Sequence, residues 1–530
     1  MRLPWPLTAD GSVRYRLNAL YRTEDYHRDY NTDVERVFIA PVIAIDIDDD
    51  TDLILELEYS DDKRPNDFGL VAIGDEVIDV PFDRALSNPD EAAETESLRL
   101  GYRLEHRFDE DWKLRNSLVY NRYDSEIFID LAPQLVGFGL LPTAFNEDTG
   151  DVFFYPASLN QPASNLDLQT NVVGEFNTGS IEHTLLAGVD FFTFWDRGNE
   201  SRSVFPPDPS LIGSLNLFNP DYSGLSTPDF DDSFAEVLGG SGRTSNLGVY
   251  VQDQVKLLDN LILLAGIRFD TVYQENTSRF LGRATETERE ESDWTPRAGL
   301  VYQPSEDLSL YASYGRSFTP NFATQANGSF IEAERGEQFE IGARAELLDD
   351  NLYINLALFN IDKENVAITD PNNPAFSIAS EAQRSRGIEL DIIGEILPGW
   401  NIVANYALLD TEITDDDDPN SGNSLLNAPE NVANLWTTYE FQSGALEGLM
   451  LGAGFNYVSE RFGDLANSFS VDDYFLTNAV IAYDKDNWRA AVNFRNIFDI
   501  DYIETAGNSR ARGIHAGQGF TVIGSFSIEF

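Results

Sequence analysis

Short segments in which apolar and polar residues alternate recur along the chain, and this period of two predicts β-strands. In segment 13–21 the two kinds of side chain separate onto opposite faces, with Val13, Tyr15, Leu17, Ala19 and Tyr21 against Arg14, Arg16 and Asn18. The alternation returns at 53–59 and 98–104. In a soluble sandwich the apolar face packs on a second sheet, whereas in an outer-membrane barrel it faces lipid and the polar face lines the lumen. A single strand fits both architectures.

The lengths of the connections separate these two architectures. Short turns are predicted at Asp48–Thr51, Asp109–Asp111, Asn177–Ser180, Leu258–Asn260, Gln303–Asp307, Leu348–Asn351, Leu397–Trp400 and Tyr483–Asn487. Long polar loops alternate with them, at 22–35, 60–95, 124–165, 196–243, 274–293, 316–334, 363–383, 412–429, 459–473 and 499–518. Long structureless loops are uncommon in compact soluble domains, but short periplasmic turns and long extracellular loops are typical of membrane barrels. We therefore predict an all-β fold, a transmembrane antiparallel β-barrel of about 20 strands.

The carboxy-terminal segment FTVIGSFSIEF supports the barrel. Its apolar face carries Phe520, Val522, Phe526, Ile528 and Phe530, and terminal strands of bacterial outer-membrane proteins look like this. An ordinary amphipathic strand at the end of a secreted β-sandwich has the same pattern. A β-propeller is a further alternative, but it would repeat every ~40 to 50 residues and we find no such repeat.

Composition excludes several functions. The 530 residues include 36 Lys and Arg against 90 Asp and Glu, and a net charge of −54 excludes a cationic nucleic-acid binder. Without cysteine there is no disulfide, iron–sulfur cluster or thiolate zinc site. The four histidines are scattered, at His27, His106, His183 and His515. We therefore predict no catalytic residue, no metal site and no resident cofactor.

The usual sequence signals of membrane insertion and secretion are weak in this chain. No apolar run approaches the roughly 18 residues of a membrane helix. The first residues, MRLPWPLTADGS, lack the apolar core of a signal peptide. The membrane prediction therefore depends on the strands.

Eight segments carry a family resemblance. They lie at 35–74, 183–192, 248–270, 310–321, 336–371, 385–414, 427–441 and 493–502, and include GVYVQDQ, GEQFEIGARAELLDD and NFRNIFDIDY. In this order they resemble TonB-dependent outer-membrane receptors for ferric siderophores, most closely the ferrichrome type. The resemblance implies a bacterial outer-membrane barrel, plugged by an amino-terminal domain, that binds ferric siderophore at its extracellular loops and imports it with energy passed through TonB. Such a protein is a transporter and not an enzyme, and ferric siderophore is its transported ligand.

The chain departs from the family at its amino-terminal end. About 20 strands are predicted, from 12–21 to 519–530, whereas plugged outer-membrane transporters have about 22. Segment 1–11 corresponds to the periplasmic turn after the first hairpin of the family. We therefore expect residues 1–530 to be the barrel domain of an amino-terminally truncated sequence, whose signal peptide, TonB box, plug and first hairpin are absent, and which meets the TonB complex through that missing segment. The alternatives are a plugless passive porin-like channel, a non-functional fragment, and a surface adhesin or phage-receptor scaffold.

Acidic segments bear on the choice of ligand. DEAAETE at 90–96, ETEREESD at 286–293 and DDDD at 415–418 are predicted to be loops. Carboxylates suit Ca²⁺, but solvated acidic loops that keep a surface soluble have the same composition. The negative field is expected to repel an anionic ferric siderophore at low salt. The sequence therefore favours a neutral or cationic ligand such as a hydroxamate.

Aromatic residues at the loop ends of strands are the predicted ligand contacts, because they can cover the faces of a siderophore. Phe194 and Trp195 precede the 196–243 loop, and Tyr314 and Phe318 lie at the start of the 316–334 loop. Each of the four also fits the aromatic belt of the outer membrane interface. Three further tyrosines beside long loops are predicted to belong to the belt only, namely Tyr21, Tyr59 and Tyr120.

Overall fold

The computed structural model describes residues 5–132, 143–204, 207–225, 228, 230, 234–280, 282–325, 329–369, 377–415, 418–507 and 509–529. Its main element is one sheet of 21 strands. Numbered along the chain, these are β1 Trp5–Pro6, β2 Val13–Glu24, β3 Val34–Asp48, β4 Thr51–Pro65, β5 Ala92–Arg107, β6 Trp112–Asp130, β7 Pro156–Thr178, β8 Ile181–Ser203, β9 Ala235–Leu258, β10 Leu261–Phe280, β11 Arg283–Ser305, β12 Leu308–Thr319, β13 Glu334–Leu347, β14 Leu352–Thr369, β15 Ser377–Leu397, β16 Trp400–Ile413, β17 Asn431–Glu440, β18 Leu449–Val458, β19 Tyr474–Lys485, β20 Trp488–Arg495 and β21 Thr521–Ile528. Over these residues no helix is long and apolar enough to cross a membrane.

Neighbours in the chain are neighbours in the sheet, and the pairs are antiparallel. The described part of the sheet runs from β1, which pairs with β2, to β21, which pairs with β20. Apart from the two-residue β1, it has twenty strands, which agrees with the predicted number. Strands β7 and β8 are each 23 residues long. A strand needs only about 10 residues to cross a bilayer, so these two extend well past the membrane.

Side chains along each strand alternate between two chemically different faces. Val249 of β9 and Ile267 of β10 are 48% and 42% exposed on one face. On the other face, Arg268 forms ion pairs with Asp190 and Asp270. In a barrel of this kind the apolar face contacts lipid and the charged face lines the lumen. The predicted transmembrane barrel is confirmed, and the separation of apolar and charged side chains onto two faces agrees with it.

Each predicted short turn overlaps a connection between consecutive strands, and the structure adds one at 441–448. This turn contains the 3₁₀-helix Gly444–Leu446. The turn ends at Gly448, which has φ +82°. A Cβ added to Gly448 would overlap the carbonyl oxygen of Asp484. The sequence analysis did not predict this turn, although Ser443, Gly444 and Gly448 are residue types that favour turns.

The predicted long loop at 274–293 is wrong. Strand β10 runs to Phe280 and β11 begins at Arg283, and these two residues pair across the strands, so strands occupy nearly all of the predicted loop. The two strands stay in register along this segment, with Thr277 opposite Glu286. Outside the bilayer both faces of a strand meet water, so the strand needs no apolar face and its sequence resembles a loop.

The predicted loop at 363–383 is also too long, because strands occupy both of its ends. Strand β14 continues to Thr369, and β15 begins at Ser377. Val366 lies opposite Ser380 in this extension. The residues between the strands, 370–376, lie outside the described residues.

Two of the three acidic segments are strands, contrary to the prediction that they are loops. ETEREESD belongs to β11, where Asp293 accepts a hydrogen bond from Arg335 at 2.8 Å. Most of DEAAETE belongs to β5, where Glu94 lies 2.7 Å from Lys63 of β4. These two acidic side chains therefore pair with basic residues of other strands. Residues 416–417 of DDDD lie outside the described residues.

The extracellular connections contain small elements of their own. Short strands pair as Ala72–Ile73 with Glu76–Val77, Asp151–Phe154 with both Phe145–Asn146 and Gly213–Asn216, Arg461–Phe462 with Ser470–Val471, and Ile503–Thr505 with His515–Ala516. Two 3₁₀-helices, Pro209–Leu211 and Tyr222–Gly224, lie between β8 and β9. The loops are therefore ordered enough to position side chains above the barrel.

Candidate functional site

Five extracellular loops pack on one another in a single hydrophobic core, which we call the loop cap. They are 66–91, 143–155, 207–225, 459–473 and 496–520. The buried residues of this core are Leu70, Val71, Ala72, Ile78, Val80, Leu86, Val152, Leu215, Leu217, Phe469, Val471, Ile503, Ala506, Ile514 and Ala516. Burial of this apolar surface stabilises the contact between the loops. Because the loops follow β4, β6, β8, β18 and β20, the cap joins the first strands of the sheet to the last.

Loops 66–91 and 496–520 cross at Gly69. The backbone N–H of Leu70 donates to the carbonyl oxygen of Ile514 at 2.5 Å, and that of Gly513 donates to Phe68 at 2.7 Å. Gly69 has φ +75°, and a Cβ added to it would lie 2.6 Å from the carbonyl oxygen of Ile514. Glycine is therefore required at this crossing both for the backbone conformation and for the space.

We expect Gly69→Ala to weaken the crossing by about 1–3 kcal/mol or more, because alanine disfavours the left-handed conformation and its Cβ overlaps backbone atoms. Hydrogen exchange at the amides of Leu70 and Gly513 measures the effect. Gly74→Ala is the matched control, since Gly74 has φ +66° but its Cβ would meet nothing within 4 Å. Equal exchange in the two variants would show that the close approach has no energetic importance.

A buried ion pair anchors loop 25–33 to the cap. Nη1 of Arg28 donates to both carboxylate oxygens of Asp67, at 2.5 and 2.7 Å, and the two side chains are 1% and 7% exposed. The hydroxyls of Tyr26 and Tyr30 donate to the same carboxylate at 3.1 and 3.0 Å, and the Gly69 N–H donates at 2.8 Å. Burial raises the pKa of Asp67, but Arg28 and these donors outweigh it and hold that pKa below its usual value. Asp67 is therefore charged at neutral pH and accepts all of these hydrogen bonds.

Arg510 links four of the cap loops. Its Nε and Nη2 each donate to Glu147 at 2.9 Å, and Nη1 donates to the hydroxyl of Ser468, also at 2.9 Å. Nη2 also donates to the carbonyl oxygen of Gly74 at 2.5 Å. The bonds from Arg510 hold the pKa of Glu147 below its usual value. The cap is thus closed by polar contacts around its apolar centre.

Inside the barrel, a charged network crosses the lumen wall between β8 and β10. Nη1 of Arg268 donates to Asp190 at 2.5 Å, and its Nε donates to Asp270 at 2.8 Å. The guanidinium lies 5.2 Å from the centre of the Tyr250 ring. A Cβ at Gly248 would overlap this guanidinium, so the glycine makes room for it. The network makes this side of the lumen polar, and its ion pairs hold the Arg268 side chain in place.

A recess of about 490 Å³ lies in the lumen wall, at the extracellular ends of β19 and β20. Its lining includes Trp436, Asn456, Leu476, Asn478, Asn493, Arg495, Asn496, Tyr502, Glu504 and Gln518. Amides predominate, with aromatic rings and one side chain of each charge. A cavity of this size with a few convergent polar groups suits a small-molecule ligand. The near-neutral lining contrasts with the strongly acidic composition of the chain.

The predicted contacts Phe194 and Trp195 both lie near the extracellular end of β8. Alternation along the strand puts Phe194 on the face of Asp190, which lines the lumen, and Trp195 on the face of Val189, which is 44% exposed. Neither belongs to the lining of the recess. Ligand contact by these two residues stays a prediction. Of the two, only Phe194 lies on the face that lines the lumen.

The predicted contacts Tyr314 and Phe318 lie four strands away, in β12. The Tyr314 ring is 4.8 Å from that of Phe339, which is 53% exposed. The guanidinium of Arg335 lies 6.0 Å from the centre of the Phe318 ring. Both residues share the outward face of β12, where the aromatic belt is expected. The structure therefore does not bring the four predicted residues together.

The three tyrosines assigned only to the belt lie on the outward faces of their strands. Tyr21 is 68% exposed. Tyr59 lies opposite Leu98, and Tyr120 lies opposite Leu100. These positions agree with the belt interpretation.

No metal site is evident in the described part of the chain, where no three His, Asp or Glu side chains form a group suited to a metal ion. The sequence did not predict the Arg28–Asp67 ion pair or the amides of the recess. The only sequence signal for the amides is that asparagine recurs on strands predicted to line the lumen. Their alignment depends on the register between strands.

Comparison with known proteins identifies the family. The family model described as "TonB dependent receptor-like, beta-barrel" matches residues 42–497. The metal-pseudopaline receptor CntO of Pseudomonas aeruginosa is 31% identical over 517 residues, covering 95% of this chain and 70% of the relative. The ferrichrome outer membrane transporter/phage receptor of Escherichia coli is 28% identical over 532 residues, covering 95% and 68%. Both alignments leave about 30% of the relative's length unmatched.

Solved structures show the same fold. The siderophore receptor PiuA from Acinetobacter baumannii superposes with a TM-score of 0.83 at 21% identity, covering 97% of this chain and 77% of that one. The ferric-catecholate import receptor Fiu from Escherichia coli gives 0.81 at 21% identity, covering 98% and 78%. These proteins are receptors and transporters of the outer membrane and not enzymes. The chain belongs to the family of TonB-dependent outer-membrane receptors, of which it forms the β-barrel.

Proposed function

We propose that the protein binds a ferric siderophore at its extracellular mouth and imports it with energy passed through TonB. The observation that carries this proposal is an ordered loop cap above a lumen that holds a polar recess of ligand size, in a barrel of this family. Relatives named for ferrichrome and for metal-pseudopaline support a metal-loaded organic ligand. They do not distinguish between these ligands, since their identities to the chain are 28% and 31%.

We further propose that the ligand is neutral, as in the ferrichrome type. The chain carries a net charge of −54, which disfavours the approach of an anion at low salt. The recess presents amides and aromatic rings, with one cation and one anion among its lining residues. Such a surface can bond the polar groups of a neutral complex without leaving a buried charge unpaired.

Equilibrium binding to the folded protein in detergent tests both proposals. A neutral ferric trihydroxamate and an anionic ferric tricatecholate are compared at low and physiological salt, with radioactive iron as the readout. We expect the neutral complex to bind about equally at both salt concentrations, and the anionic complex to bind more weakly at low salt because screening is then least. Tighter binding of the anionic complex at low salt would overturn the choice of ligand. Binding of neither complex would count against the siderophore proposal.

Coupling to TonB rests on the family resemblance, in which it runs through an amino-terminal segment. We propose that a plug carrying a TonB box precedes the barrel. The in-frame nucleotide sequence upstream of the Met1 codon, with the amino-terminal sequence of the mature protein from an outer-membrane fraction, tests this. An extension that encodes a plug supports energised import, whereas a mature protein that starts at Met1 supports the passive channel.

A further inference from the structure

A row of asparagines crosses the lumen wall from β16 to the end of β20, and we call it the asparagine ladder. Its members are Asn405, Asn434, Asn456, Asn478 and Asn496. Nδ2 of Asn434 donates to Oδ1 of Asn405 at 2.7 Å, Asn456 donates to Asn434 at 2.6 Å, and Asn478 donates to Asn456 at 2.9 Å. The backbone N–H of Asn496 donates to Oδ1 of Asn478 at 3.0 Å. The ladder thus ends at the recess.

The direction of these hydrogen bonds is fixed from one end. The backbone N–H of Asn496 can only donate, so Asn478 must turn its oxygen towards Asn496 and its nitrogen towards Asn456. The same reasoning then orients Asn456 and Asn434 in turn. Asn496 cannot move freely, because its own amide is held by the backbone of Ile500 at 2.8 and 2.9 Å. A flipped amide would therefore break the row.

This orientation leaves hydrogen-bond donors at the recess. A side-chain amide has two N–H groups, and within the described residues Nδ2 of Asn456 and of Asn478 each make one hydrogen bond. Among the described residues, no acceptor binds the second N–H of either amide. Both residues line the recess, whereas Asn405 and Asn434 are not part of its lining. The recess is therefore lined by two amides that each keep one N–H for a ligand, and by the ring of Trp436.

We propose that the asparagine ladder is a ligand-binding surface, on which the amides of Asn456 and Asn478 donate to the carbonyl oxygens of a neutral ferric siderophore in the recess. This inference rests on the proposed function and adds to it the site and the bonding groups. The hydrogen bonds along the row fix the orientation of both amides. The same row also joins β16 to β20, so the test must separate binding from strand pairing.

The ladder itself supplies the matched pair of variants. Asn456→Leu and Asn434→Leu each remove two ladder bonds, but Asn456 lines the recess and Asn434 does not. Binding of a neutral ferric trihydroxamate to the folded proteins is measured with radioactive iron, after circular dichroism has confirmed equal strand content. We expect Asn456→Leu to raise Kd about five- to tenfold, which is the usual effect of losing one well-placed hydrogen bond. Asn434→Leu is expected to change Kd less than about twofold.

The outcomes separate this inference from the function on which it rests. If the unaltered protein binds neither ferric complex, the proposed function fails before any variant is compared. If it binds the trihydroxamate and the two variants weaken binding equally, or not at all, the ladder serves strand pairing only and the inference is overturned. Asn478→Leu tests the second asparagine that lines the recess. An unchanged Kd in that variant would also contradict the proposal.

Discussion

Replacing Asp67 by asparagine is expected to destabilise the loop cap by about 3–5 kcal/mol, which is the usual cost of leaving a buried charge without its partner. Arg28 is 1% exposed at its side chain and would keep its charge. Asparagine has nearly the shape of aspartate and still accepts the Gly69 N–H, so the loss reports charge pairing more than packing. Since the barrel is held by strand pairing, the effect should appear as faster hydrogen exchange in loops 25–33 and 66–91.

Glu147→Gln is the comparison variant for the Asp67 prediction. It also removes the carboxylate of an ion pair in the cap, but Glu147 and Arg510 are 39% and 27% exposed at their side chains. Water can solvate the exposed Arg510 when the carboxylate is removed, so loss of this ion pair should cost less than about 1 kcal/mol. If Asp67→Asn accelerates loop exchange no more than Glu147→Gln does, burial does not set the strength of the Arg28–Asp67 pair.

The Asp67 pair also predicts how the cap responds to acid. The pKa of Asp67 is lower in the folded cap than in an unfolded chain. Its contribution to stability is therefore complete at neutral pH, begins to fall near the unfolded value of about 3.9, and is lost as the pH passes below the folded pKa. In Asp67→Asn this dependence should be missing from the exchange of loop 66–91.

The barrel could be predicted from sequence because each transmembrane strand carries its own signal. Segment 13–21 alternates along its whole length, and it is indeed the core of β2. The prediction failed at 274–293, where β10 and β11 extend into water and polar residues occupy both faces. It also missed the turn at 441–448. The signal for a strand thus came from its contact with lipid and disappeared where that contact ended.

The site was harder to predict because its groups meet only through folding. Arg28 and Asp67 are 39 residues apart, and Asn434 and Asn456 are 22 apart. Their contact depends on strand register and on loop packing, and neither is encoded by local periodicity. Aromatic residues such as Tyr314 were selected instead, because strand ends are visible in a sequence. A register shift of one residue would turn the ladder away from the lumen, so only the paired strands reveal it.

Asp130 at the end of β6 is expected to behave in the opposite sense to Asp67. Its Oδ1 accepts the backbone N–H groups of Ala132 and Tyr155 at 2.8 and 2.9 Å, and the residue is 8% exposed. Burial raises the pKa of Asp130 to about 6, despite these bonds and the positive charge of Arg512. β6 is 19 residues long, about twice what a bilayer requires, so Asp130 lies in the extracellular region beyond the membrane.

Asp130→Asn is therefore expected to stabilise this part of the cap at pH 7.5, by about 3 kcal/mol for a pKa raised by about two units. Asparagine keeps an oxygen for both backbone N–H groups and removes the buried charge. In the unaltered protein the contribution of Asp130 is most favourable below the unfolded pKa of about 3.9, falls as the pH rises to about 6, and is constant above that. The advantage of the variant should therefore be absent at pH 4.

Hydrogen exchange at the Tyr155 amide, followed from pH 4 to pH 8 and corrected for the intrinsic pH dependence of exchange, measures the Asp130 effect. The unaltered protein should lose protection between pH 4 and pH 6, and the variant should not. Because Glu91 lines the same small cavity as Asp130, Glu91→Gln is the control for a general loss of negative charge there. A variant that loses protection at every pH would mean that the carboxylate supports the β6 end through its charge, and that its burial carries no penalty.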